Sequence, residues 1–158
     1  MKWSESIVID RPVDQVWRAV ADAHQLLEWS AWPEATGYSC AIEGDGRATG
    51  SAIVFTDRKG VVQGRQVLTM VDRRRVSYRL RNRGPAGREM RPELDFALDD
   101  LDGGRTRVRL DFRASVPLPP GLRHAVEAAM GRRVRALHVK DLAQLKRHVE
   151  GRIAAAGT

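Results

Sequence analysis

Between residues 37 and 116 apolar residues mostly alternate with polar ones, and on both sides of that stretch they recur at helical spacing. The run Ser6-Ile7-Val8-Ile9-Asp10 is strand-like, and residues 2–10 are predicted as the first strand. Pro12 follows, and its fixed φ suits a helix entrance. A helix over 13–23 then places Val16, Trp17 and Val20 on one face, and a second short helix is predicted over 24–29. The alternating stretch predicts strands over 37–43, 50–56, 61–71, 75–83, 91–99 and 105–116. Turn sequences separate them, among them Gly44-Asp45-Gly46, Asp57-Arg58-Lys59-Gly60 and Asp102-Gly103-Gly104. Pro117, Pro119 and Pro120 bar regular structure until Gly121. From there Leu122, Val126, Met130, Val134, Leu137, Leu142, Leu145, Val149 and Ile153 predict one long helix over 121–152.

Strands joined by short turns pair antiparallel, because parallel pairing needs helical crossovers. The fold class expected is therefore α+β: one seven-stranded curved antiparallel sheet, two short helices after its first strand, and a long C-terminal helix. A helix of about 30 residues spans roughly 45 Å, against roughly 40 Å for a 12-residue strand. The helix can thus run the length of the sheet and cover its apolar face. Gly131 interrupts the helical pattern and marks a candidate bend. No repeat or linker divides residues 1–158, so one domain is expected.

A strongly curved sheet and one helix leave space between them, so residues on the inward parity wall a cavity as well as a core. Phe55, Tyr78, Phe96 and Phe112 take that parity on their strands, and Met130 and His138 face them from the long helix. Trp32, just beyond the second short helix, is placed at the rim. These seven residues are the candidate ligand-binding set, with Tyr78 and His138 as the groups that would orient a ligand oxygen. Parity over 61–71 stays open, because Val67 and Val71 compete with Leu68 and Met70. Trp3 and Glu5 share the inward face of the first strand with Ile7 and Ile9. Glu5 and His138 are not expected to form a dyad, since the strand's start should meet the helix near its beginning and His138 lies some four turns further on.

The net charge of +7 comes mostly from arginine, a residue suited to phosphate. Here the arginines alternate with apolar residues, as in Arg75-Val76-Ser77-Tyr78-Arg79-Leu80-Arg81, and acidic residues share their face. Cross-strand pairing on a solvated sheet face is expected, and no specific nucleic-acid partner. Cys40 is the sole cysteine, and no His or Cys spacing matches a metal site. Gly44-Asp45-Gly46-Arg47-Ala48-Thr49-Gly50 lies between strands and lacks the spacing and helix of a dinucleotide fingerprint. No cofactor and no metal are expected. No apolar run approaches the roughly 20 residues of a membrane span. The opening Met1-Lys2-Trp3-Ser4-Glu5 lacks the apolar core of a secretory signal, so the expected location is cytoplasmic, as a monomer or homodimer.

The set Ser6-x-x-Ile9-x-x-Pro12-x-x-x-Val16-Trp17, then Asp22, then Trp29-Ser30-x-Trp32, resembles the opening of the polyketide cyclase/dehydrase and lipid-transport group. That group lies within the START-related, helix-grip (SRPBCC) superfamily. The closing Asp141-Leu142-Ala143-Gln144-Leu145-Lys146-Arg147-His148-Val149-Glu150 is similar to the family's last helix. The resemblance implies a helix-grip fold with a deep apolar pocket. It also implies an apolar small-molecule ligand, lipid-like or polyketide-like, as partner. The alternative function is a polyketide aromatase/cyclase-type enzyme, with His138 or Tyr78 moving protons.

Overall fold

In a computed structural model, residues 1–156 are described, with side chains through Arg152. Eight strands form one antiparallel sheet: β1 (Lys2–Ile9), β2 (Ser39–Glu43), β3 (Ala52–Thr56), β4 (Val62–Val71), β5 (Arg75–Arg83), β6 (Glu89–Met90), β7 (Glu93–Leu101) and β8 (Arg105–Arg113). Their order is β1-β8-β7-β5-β4-β3-β2, with the two-residue β6 paired to β5. The first and second strands thus occupy opposite edges. The chain between them crosses as three helices, α1 (Val13–Ala21), α2 (Ala23–Trp29) and α3 (Trp32–Thr36). The long helix α4 (Pro120–Ala156) returns across the sheet and packs along β1. The side chain of Ile153, expected on its apolar stripe, lies outside the described residues.

Three elements lie outside the expected set: a helix α3, a strand β6 and a 3-10 turn over Pro85–Gly87. The helix α3 begins on Trp32 with Pro33 next and Glu34 in its first turn, and it ends on Gly37 at φ 69°. That left-handed cap needs a residue without a Cβ, so Gly37 closes a helix rather than opening a strand. The strand β6 pairs Met90 with Asn82 and Glu89 with Arg83, where a loop had been expected.

The open parity of β4 resolves into both answers. Gly64, Gln66 and Leu68 point inward, then a bulge between Leu68 and Met70 shifts the register, so that Val71 pairs with Val76. One extra residue reverses which side chains face the core. On the outer face arginines meet acids both across strands, as the alternation predicts, and within a strand. Arg79 pairs with Asp95 at 3.0 Å and approaches Glu93 on the adjacent strand, and Arg109 pairs with Asp111 at 3.1 Å.

The first turns of α4 overshoot the sheet, leaving Leu122 63% exposed. As a result β1 meets the middle of the helix instead of its start. Glu5 forms an ion pair with Arg135, and Trp3 reaches His138. Glu5 therefore comes closer to His138 than expected, yet among the described residues each bonds elsewhere, Glu5 to Arg135 and His138 to Trp3. Gly131 sits in the same contact: a Cβ there would lie 3.6 Å from Met1 Sδ and 3.7 Å from Trp3 Cζ3, ordinary packing distances. Gly131→Ala should therefore fit and raise stability by about 0.5–1 kcal/mol through helix propensity, read as a higher urea midpoint at unchanged slope.

The inner face is filled unevenly. Toward one end α1 packs on β7 and β8, and α1 and α2 both touch α4, enclosing Val16, Val20, Leu26 and Trp29. Asp22 caps α2 by accepting from the His24 backbone N–H at 2.9 Å and binds Arg47 Nε at 2.9 Å. Burial opposes ionisation of Asp22, but those bonds outweigh it and hold its pKa below the usual range. This end is a packed core. The other end is not.

Candidate functional site

Beneath α3 and the middle of α4 lies a cavity of about 250 Å³. The sheet contributes Phe55 from β3, Gln66 from β4, Leu80 and Asn82 from β5, Leu94 from β7 and Phe112 from β8. Met130, Val134, His138 and Asp141 close it from α4, at spacings of four, four and three that keep them on one helical face. Trp32 and Thr36 of α3 form a third wall, and Met90 of β6 lies beside β5.

Five of the seven residues singled out in the sequence meet here: Trp32, Phe55, Phe112, Met130 and His138. Tyr78 and Phe96 do not. They have inward parity but lie further along their strands, at the packed end. Tyr78 is 1% exposed, and its hydroxyl donates to the Val20 carbonyl of α1 at 2.7 Å. Phe96 makes edge contacts with both Tyr78 and Trp29. Burial also drives the Tyr78 phenol pKa far upward, with the charge of Asp22 adding to the shift. Its role is structural. Tyr78→Phe should cost about 1–2 kcal/mol of stability, because the buried Val20 carbonyl loses its donor, and should leave ligand affinity unchanged. Parallel denaturation and calorimetry check both halves.

His138 is 5% exposed and tied to the first strand. The indole N–H of Trp3 donates to its Nδ1 at 3.2 Å, while Trp3 stacks on Phe112 at 4.3 Å between ring centres. Phe112 also meets the imidazole edge-on at 4.8 Å. Burial lowers the His138 pKa to about 4, against the opposing pull of Glu5, so the ring is neutral at pH 7. One turn on, Asp141 accepts from the Ala31 backbone N–H at 2.6 Å and the Ser30 hydroxyl at 3.4 Å. It thereby fixes the link between α2 and α3 that carries Trp32. Burial raises its pKa to about 6, in spite of those two bonds and the nearby Lys140.

Several polar residues of the cavity wall were not singled out in the sequence, among them Gln66, Asn82 and Asp141. Gln66 was hidden by the bulge in β4, which left that strand's parity open. Asn82 continues the inward series of Tyr78 and Leu80 and was legible from it. Asp141 lies three residues beyond His138 on a helix, hence on the same face, and was legible too. Among the described residues Asn82 Oδ1 is buried with no hydrogen-bond partner, and the Gln66 side chain has none. Gly64 stands opposite Asn82 in the ladder, where a Cβ would come within 2.3 Å of that oxygen, so only glycine leaves it room. Among the described residues no group of His, Cys, Asp and Glu is arranged to hold a metal, and no helix is long and apolar enough to cross a membrane.

Known proteins share this architecture. MLL2253 from Mesorhizobium loti is similar at 20% identity with a TM-score of 0.61, over 95% of this chain and 97% of its own. Norcoclaurine synthase from Thalictrum flavum, in complex with dopamine and hydroxybenzaldehyde, is similar at 13% identity and TM-score 0.64, over 92% and 85%. DynU16, a protein of the dynemicin biosynthetic locus, is similar at 18% identity and TM-score 0.56, over 94% of this chain but 47% of its own. At such identities the likeness is one of fold. No curated protein sequence matches the chain at a significant level. Residues 1–150, however, match the family described as polyketide cyclase/dehydrase and lipid transport. With the grip of sheet on helix and the cavity it encloses, that match shows that the chain belongs to the polyketide cyclase/dehydrase and lipid-transport family of the SRPBCC superfamily.

Proposed function

We propose that this protein binds a small, largely apolar molecule carrying oxygen functions, in the cavity between the sheet and α4. The observation that carries the reading is the cavity itself, in which the apolar Phe55, Leu94, Phe112 and Met130 face a few polar side chains, among them Gln66, Asn82, His138 and Asp141. Size narrows the class. At about 250 Å³ the cavity falls below the roughly 300–1,000 Å³ typical of sites for drug-sized ligands. One or two fused rings, or a short acyl chain, match it better than a sterol. The aromatic ligands held by the similar norcoclaurine synthase are of that size class. Trp32, Phe55, Phe112, Met130 and His138 are the residues we assign to contact the ligand.

Native mass spectrometry of the purified protein, followed by calorimetry with one-ring and two-ring aromatic ketones, tests the reading. An adduct of matching mass, or binding lost on filling the cavity, supports it. Failure of every such compound to bind rejects it.

One observation favours a second reading, a polyketide aromatase/cyclase-type enzyme. His138 and Asp141 line the cavity one turn apart with pKa values of about 4 and about 6, so one is neutral and the other titrates close to working pH. A carboxyl poised there suits general acid–base work on an enolisable carbonyl. Deuterium exchange next to the carbonyl of a bound aryl ketone, abolished by Asp141→Asn, would establish catalysis. Binding without exchange leaves the carrier role alone.

A further inference from the structure

We infer that Trp3 is a positioning residue: its indole N–H fixes the Nε2–H tautomer of His138, so that the cavity selects ligands presenting a hydrogen-bond acceptor to α4. This rests on the reading of the cavity as the binding site. The chemistry is one-directional. An indole nitrogen can only donate, so the His138 Nδ1 that it meets at 3.2 Å must carry a lone pair. A neutral imidazole with an unprotonated Nδ1 holds its proton on Nε2. His138 is 5% exposed and lines the cavity, and its Nε2 has no protein partner among the described residues. Burial keeps the second proton off at pH 7.

The surrounding contacts hold this arrangement. Trp3 stacks on Phe112, and Phe112 packs against the imidazole, so the three rings restrain one another. Trp3 lies on β1 and is itself outside the cavity lining, so it acts on a ligand only through His138. The ligand atom facing α4 is therefore a carbonyl, ether or phenolate oxygen. An isosteric hydrocarbon leaves the Nε2–H without a partner.

The full-length 15N-labelled protein supplies the first test. Long-range proton–nitrogen spectra of wild type should show His138 protonated on Nε2. A coupling across the hydrogen bond from Trp3 Nε1 to His138 Nδ1 identifies the donor without any substitution. A proton on Nδ1, or no coupling with the proton elsewhere, overturns the inference. Trp3→Phe retains a ring to stack on Phe112 and removes only the N–H. It should turn the single tautomer into a mixture, and an unchanged spectrum would overturn the role of Trp3.

Binding gives the second test, with 2-acetylnaphthalene and its alkene isostere 2-isopropenylnaphthalene as probes. Wild type should prefer the ketone by about tenfold, the worth of one net hydrogen bond, and Trp3→Phe should lose most of that preference. Equal affinities in wild type would defeat the selection even if the tautomer is as described. If neither probe binds, the cavity reading itself fails, and the selection fails with it.

Discussion

Met130→Trp should abolish binding of any compound that wild type binds, while the protein stays folded. Met130 is half-buried on α4 and projects into the cavity between Val134 and the walls formed by Phe55 and Phe112. Enlarging a side chain in a well-packed core costs typically 1–3 kcal/mol because neighbours must move. Here the added ring enters empty space of about 250 Å³, so the cost should stay below about 1 kcal/mol. Calorimetry should register no heat with a ligand of wild type, and the thermal midpoint should move by only a few degrees. A variant that retains affinity would move the binding site elsewhere on the molecule. Met130→Ala is the complementary test: it enlarges the cavity and should admit bulkier compounds.

The second large effect is a pair of opposing pH dependences at adjacent turns of α4. Folding raises the Asp141 pKa from its ordinary value of 3.8 to about 6. The folded state therefore binds the extra proton more readily than the unfolded chain, and this group adds stability as pH falls from 6 toward 4. Folding lowers the His138 pKa from 6.5 to about 4. The unfolded chain then takes the proton first, so this group removes stability over nearly the same window. Each shift corresponds to roughly 3 kcal/mol, and the two largely cancel in wild type. Asp141→Asn keeps an oxygen to accept from Ala31 and Ser30 but cannot ionise. It should match or exceed wild type at pH 7.5, then lose the difference as pH falls to 4.5. Replacing His138 with phenylalanine should do the reverse, gaining on wild type as pH falls. Urea midpoints across that range measure both. Variant curves parallel to wild type throughout would show that the two groups are not buried as described.

The fold was legible because its determinants are local. Alternation set the strands, turn sequences set their pairing, and the spacing of Leu142, Leu145 and Val149 set the buried face of α4. The short helix α3 carried signals of its own in Pro33, Glu34 and Gly37, but five residues are too few for periodicity to reveal. The site was only half legible. Parity says which face a side chain takes and nothing about position along the strand. Tyr78 and Asn82 share a face of β5, yet one lies under α1 and the other walls the cavity. That division depends on where α1 and α2 dock. The link from Trp3 to His138 was hidden for a related reason, since it depends on how far α4 overshoots the sheet before meeting β1.

The central claim, that the cavity is a binding site for a small oxygen-bearing apolar molecule, is tested most directly by amide shift mapping with 2-acetylnaphthalene. Saturable shifts should centre on Gln66, Asn82, Val134, His138 and Asp141, with the outer-face residues Arg79 and Arg109 unmoved. Shifts confined to the outer face, or none at ligand saturation, would contradict it.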